Sequence, residues 1–195
     1  MSSRPGAVVR AGLLLYVPVA LLSLAWLCIR NGMPATMDRV VGMHVGRDAV
    51  LGLGVGLMLV GITRIASALS AHARRAEATL GEAIGPLSTT HCLVLALASG
   101  FAEELLFRGA LQPVLGLLLT SIAFGAAHVP LRRELIIWPF IAAAVGLLLG
   151  WMTNETDALI APILTHVTVN AINLRYLSAL VRDADAGAPS EAALT

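Results

Sequence analysis

Long uncharged stretches alternate with short polar ones along the whole chain. Ala11–Ile29 is a run of nineteen uncharged residues behind Arg4 and Arg10. At ~1.5 Å rise per residue it reaches ~28 Å, enough to cross the hydrocarbon core of a bilayer. It exceeds the ~7–15 apolar residues of a signal peptide, and no obvious small-x-small cleavage site follows, so it reads as a retained first span. A second apolar run covers Ala49–Thr63, with Gly52 and Gly56 spaced for close helix approach. Arg64–Glu82 is polar and helix-permissive, the pattern of an interfacial segment, and apolar character resumes near Ile84.

Hydropathy alone would draw spans at Ile84–Ala102 and Gly109–Ala127 and leave Phe101–Arg108 as a polar loop. Turn chemistry argues otherwise. Pro113 and Gly116 are the punctuation in this region, so a hairpin turn is expected at Gln112–Gly116. Glu103 then lies inside the third helix, ~15 Å before Pro113, and His128 lies ~18 Å down the returning fourth helix. The fifth span is expected at Leu135–Thr153, followed by a polar turn at Asn154–Asp157. The sixth runs from Ala158 to about Val181 and places His166 ~13 Å from that turn. In an up-down bundle both turns lie on one membrane face, so Glu103, His128 and His166 converge at similar depth. The expected fold is all-α, a polytopic transmembrane bundle of about six spans.

Composition supports lipid as the solvent. The 195 residues are 57% hydrophobic and 13% charged, with a mean hydropathy of +0.83; a soluble domain carries about 25% charged residues. The net charge of +1 gives no reason to expect a nucleic-acid partner. All thirteen basic residues are arginine, which reads as compositional bias. With Arg108 and Arg175 set aside as helical, eight arginines fall on the side of the termini and three (Arg30, Arg39, Arg47) on the other. That bias places both termini in the cytoplasm. Cys28 and Cys92 stand singly in apolar runs, as buried inert thiols do.

Ionisable groups inside spanning helices are costly and so are functional candidates. Three groupings stand out: Glu103-Glu104-x-x-x-Arg108, Phe124-x-x-x-His128 and His166-x-x-x-Asn170. Glu104 and Arg108 share a helix face with the acid N-terminal to the base, the favourable order. Glu103 is rotated ~100° away from that pairing. A spare buried carboxylate suits general-base chemistry. His128 can share a water with it, and Phe124 packs one turn earlier on the same face as His128. His166 and Asn170 offer two hydrogen-bond donors from one face, able to stabilise an oxyanion. Pro162, one turn before His166, kinks or starts that helix.

In this order, on separate hydrophobic helices, the three groupings resemble the CPBP family of type II CAAX prenyl endopeptidases and bacteriocin-processing or immunity-type (Abi-like) membrane proteins. The resemblance covers roughly Ile84 to Val181. It divides the single 1–195 membrane domain into N-terminal spans and interfacial segment (1–83), a CPBP-like core (84–181) and a polar tail (182–195). The stretch between Arg108 and Phe124 is shorter and less basic than the family pattern.

The resemblance implies a glutamic-type intramembrane protease that needs no cofactor or metal. It makes Glu103 and His128 the activators of water, His166 and Asn170 the oxyanion hole, and Glu104, Arg108 and Phe124 supporting residues. The partners it implies are the lipid bilayer and a membrane-associated peptide or protein substrate, a prenylated CAAX-type tail among the candidates. The implied location is the inner membrane of a bacterial cell.

Blander readings compete. Glu103, Glu104 and Arg108 can form a structural ion cluster, and Glu with two His is a competent divalent-metal set. Asn170 can simply bond between helices, and Asn173 reads as structural. The rival classes are a non-catalytic immunity or scaffold protein and an ion or proton transporter. The small number of spans and the lack of inverted repeats weigh against transport.

Overall fold

The computed structural model describes residues 5–130 and 132–187, and among these every regular element is helical. Eight α-helices follow in order: α1 Pro5–Asn31, α2 Met33–Val41, α3 Val45–Leu69, α4 Ala71–Ile84, α5 Thr89–Glu104, α6 Gln112–Ala127, α7 Trp138–Thr156 and α8 Ile160–Gly187. Four stretches are long and apolar enough to cross a membrane: Gly6–Asn31, Val45–Leu69, Thr89–Ala127 and Arg133–Thr156.

Large apolar side chains point outwards, with Leu14 77%, Ile29 82%, Val50 73% and Phe140 72% exposed, while Glu104 and Thr165 are fully buried. A soluble protein reverses that distribution. The expected all-α membrane fold is what the chain adopts; Thr89–Ala127 holds the expected third and fourth spans in one stretch, and α8, the expected sixth, is not among the four.

Packing relies on small residues, since lipid gives helices no hydrophobic drive to associate. A Cβ on Gly52 would fall 2.5 Å from the Ala161 carbonyl, and one on Gly56 2.8 Å from Thr168 Cβ, so α3 lies flush and parallel against α8. Gly100 meets Val167 and Gly125 meets Ala143 in the same manner, joining α5 to α8 and α6 to α7.

The expected hairpin is present and sharper than its predicted range. Helix continues from α5 through a π-helical stretch, Leu105–Leu111, into α6, and the chain breaks at Gly116 (φ 79°, ψ 169°). That conformation is essentially reserved for glycine. Beyond it the helix doubles back until Phe124 meets Phe107 with ring centroids 4.9 Å apart. Pro113 has no N–H for the Gly109 carbonyl and crowds it. A π stretch ahead of the ring, in which Gln112 bonds to Phe107, relaxes that conflict.

Several predicted boundaries are corrected. The helix of the second apolar run does not stop before Arg64; it continues to Leu69, with the Arg64 guanidinium 3.6 Å over the Tyr176 ring, paired with Glu77 at 3.5 Å and donating to Asn173. Asn173, read as structural from the sequence, thus joins α8 to α3. The fourth span is short, because Pro130 stops the returning helix and leaves His128 as its C-cap. The fifth runs to Thr156 and turns on Asp157 in the left-handed conformation (φ 50°). Pro162 falls in the first turn of α8 and starts it. The polar tail joins α8 as far as Gly187, and 188–195 lie outside the described residues, as does Arg4.

Candidate functional site

The adjacent glutamates at the end of α5 face different surroundings, as their 100° offset requires. Glu104 is fully buried and Arg108 is 1% exposed. Glu104 Oε1 accepts from Arg108 at 3.1 Å and contacts His166 Nδ1 at 2.7 Å. The second arm of the Arg108 guanidinium donates to the Gly146 carbonyl on α7 at 3.1 Å, and its plane lies 4.3 Å from the Phe124 ring centroid. One carboxylate therefore ties α5, α7 and α8 together around two cationic-capable groups, which is how a buried charge becomes tolerable.

Glu103 takes no part in that cluster. Its Oε2 is buried without a hydrogen-bond partner and stands 3.7 Å from His128 Nε2. The Tyr16 phenol of α1 faces the same carboxylate. His128 Nδ1 lies 2.7 Å from the Phe124 carbonyl and donates to it, so the His128 lone pair is on Nε2, turned towards Glu103. At 3.7 Å the two are too far apart for a direct hydrogen bond, and near enough that a single water admitted beside the pair would reach both.

His128, His166, Asn170 and Phe124 line a cavity of about 90 Å³ whose other walls are apolar, including Trp138, Ile141 and Val145 of α7 and Leu59 of α3. Glu103 is not part of this wall; it meets the cavity at His128. Phe124 is the shared packing surface, with ring centroids 4.5 Å from His128 and 6.1 Å from His166. With Nδ1 taken by Glu104, His166 presents Nε2 to other partners. Asn170 Nδ2 donates to Ser99 Oγ on α5 at 2.9 Å.

All seven residues singled out in the sequence thus gather between α5, α6 and α8. Four features lay outside the sequence reading. Ser99 and Tyr16 carried no motif signal. The Glu104–His166 contact joins residues 62 apart and needs the bundle to be visible. The fourth is the role of Gln112. One turn beyond Arg108, it repeats that clamp on α7, donating to the Gly150 carbonyl at 2.9 Å and to Asn154 at 2.8 Å. Among the described residues no three His, Cys, Asp or Glu side chains converge as a metal site.

Residues 85–172 match the family described as type II CAAX prenyl endopeptidase Rce1-like. All seven site residues lie inside that stretch, and the resemblance read from the motifs holds there. YpbD of Bacillus subtilis (strain 168) is 35% identical over 85 residues, which are 44% of this chain and 44% of YpbD. The chain therefore covers less than half the length of this relative. No solved structure matches. The matching family is described as one of endopeptidases, and the long apolar helices are those of an integral membrane protein.

Proposed function

We propose that the chain, whose residues 85–172 are Rce1-like, is an intramembrane endopeptidase that hydrolyses a peptide bond of a membrane-associated substrate. The observation that carries this reading is the approach of Glu103 and His128 to 3.7 Å beside a cavity that also presents His166 and Asn170. A water admitted beside the pair and bonded to both the Glu103 carboxylate and His128 Nε2 gives a proton to Glu103 as its oxygen attacks the scissile carbonyl. The negative charge that develops on the carbonyl oxygen is met by the free amide proton of Asn170 and by His166 Nε2 when that ring carries both protons. Glu103 then returns its proton to the departing amine. The Glu104–Arg108 pair holds His166 in register throughout. A prenylated C-terminal tail is the first substrate class to offer, and no metal or cofactor enters the scheme.

The test is cleavage of lipidated and unlipidated membrane peptides by the purified protein, wild type against Glu103→Gln and His128→Ala, with and without a chelator. Loss of about 10²–10⁴-fold in turnover in each variant, typical of removed general-base catalysis, is expected. Turnover should be indifferent to the chelator. Loss on chelation would assign the water to a metal ion instead. Glu103→Gln with wild-type turnover would overturn the reading in favour of a structural cluster.

A further inference from the structure

We propose that Ser99 is a positioning residue that fixes which end of the Asn170 amide faces α5 and so aims the second amide proton into the cavity. The proposal rests on the oxyanion role given to Asn170 above. A carboxamide is a nearly symmetric plane with two donors at one end and an acceptor at the other. Held only by packing, it can turn over and present oxygen where hydrogen is needed, and a carbonyl oxygen pointed at a developing oxyanion repels it.

Ser99 removes that ambiguity. It is 5% exposed, one turn before Glu103, and its hydroxyl donates backwards to the Ala96 carbonyl at 3.4 Å. With its proton turned to the Ala96 carbonyl in this long contact, Oγ faces α8 as an acceptor. Asn170 Nδ2 supplies the matching donor at 2.9 Å. A turned-over amide would set oxygen against oxygen, or force the hydroxyl to leave Ala96. The remaining Nδ2 proton is then directed away from Ser99, on a side chain that lines the cavity with His128 and His166. The contact also explains why α5 and α8 stay in register at this depth, where Gly100 lets Val167 approach.

The test uses the full chain and a peptide that wild type cleaves, with Ser99→Ala, Ser99→Thr, Asn170→Ala and the Ser99→Ala/Asn170→Ala double variant. Losing one orienting hydrogen bond should lower kcat about tenfold in Ser99→Ala with KM unchanged. Ser99→Thr, which keeps the hydroxyl, should recover most of the loss. In the Asn170→Ala background Ser99→Ala should add nothing. Should Ser99→Ala fail to fold, Ser99→Cys, near in size and a poor acceptor, makes the same comparison. Hydrogen exchange of the Asn170 side-chain amide gives a readout independent of turnover, and it should quicken in Ser99→Ala. Effects of Ser99→Ala that multiply with those of Asn170→Ala, or an unchanged amide exchange, would overturn this proposal alone. Full activity in Asn170→Ala would overturn the oxyanion reading together with it.

Discussion

Two neighbouring glutamates meet opposite environments because one helical step turns them 100° apart. That division was legible from the sequence: Arg108 stands four residues after Glu104 and claims it, which leaves Glu103 over. What the sequence could not disclose is that Glu104 is claimed twice, by Arg108 and by His166, since the second partner arrives from α8. Ser99 was hidden for the same reason, its partner lying 71 residues away. The chemistry of Arg108 yields a prediction. Its two arms reach Glu104 and the Gly146 carbonyl while its plane packs on Phe124, a geometry the single ammonium of lysine cannot reproduce. Arg108→Lys should therefore lower stability by about 1–3 kcal/mol, the cost of a buried group left unsatisfied. It should also reduce turnover, because Glu104 loses the brace that holds His166. Thermal unfolding in detergent checks the first part. Arg132→Lys, at a 3.7 Å pair whose side chains are 55% and 68% exposed, should leave the transition in place.

Among the elements, helices were readable wherever apolar runs were long, and their ends only where glycine or proline marked them. The hairpin between α5 and α6 was found because Pro113 and Gly116 outweigh a polar stretch that hydropathy would have cut out as a loop. The end of α3 was missed because Arg64 looks like an interface residue until Glu77, Asn173 and Tyr176 close around it. The short helix α2 was missed as well; its nine residues are too few to leave a strong period. The glycines of α3 offer a test with its own control. Gly52 and Gly56 press on α8, whereas a Cβ on Gly54 or Gly61 would meet nothing within 4 Å. Gly56→Leu should force α3 off the helix that carries His166 and Asn170. It should destabilise the protein by about 1–3 kcal/mol, the usual range for overpacking, and lower activity with it. Gly54→Leu, turned towards lipid, should change neither melting temperature nor turnover.

For the molecule as a whole, the packing contacts fix the relative directions of α1, α3, α5 and α8. Gly52 with Ala161 and Gly56 with Thr168 make α3 and α8 parallel, while Gly100 with Val167 and Cys92 with Ser178 make α5 and α8 antiparallel. Gly12 against Leu95 and Leu27 against Gly109 run α1 alongside α5. The start of α1 and the end of α8 therefore lie on one side, together with α4. The α1–α3 connection, the Gly116 turn and the Asp157 turn lie on the other. Arginine divides unequally between these faces: Arg10, Arg74, Arg75, Arg132, Arg133 and Arg182 stand on the first, and Arg30, Arg39 and Arg47 on the second. Arginine retained in short loops holds them in the cytoplasm during insertion, so we predict that the face bearing α4 is cytoplasmic. Cysteine labelling in intact bacterial cells, in a Cys28→Ser, Cys92→Ala background, decides it. Met43→Cys, at a position 92% exposed in the α2–α3 connection, should react with an impermeant maleimide added outside. Arg75→Cys on α4 should react only after the cells are opened. The reverse pattern would invert the protein in its membrane and turn the α4 face, with the start of α1 and the end of α8, to the outside. Labelling of both positions from outside would contradict the alternation of the helices itself.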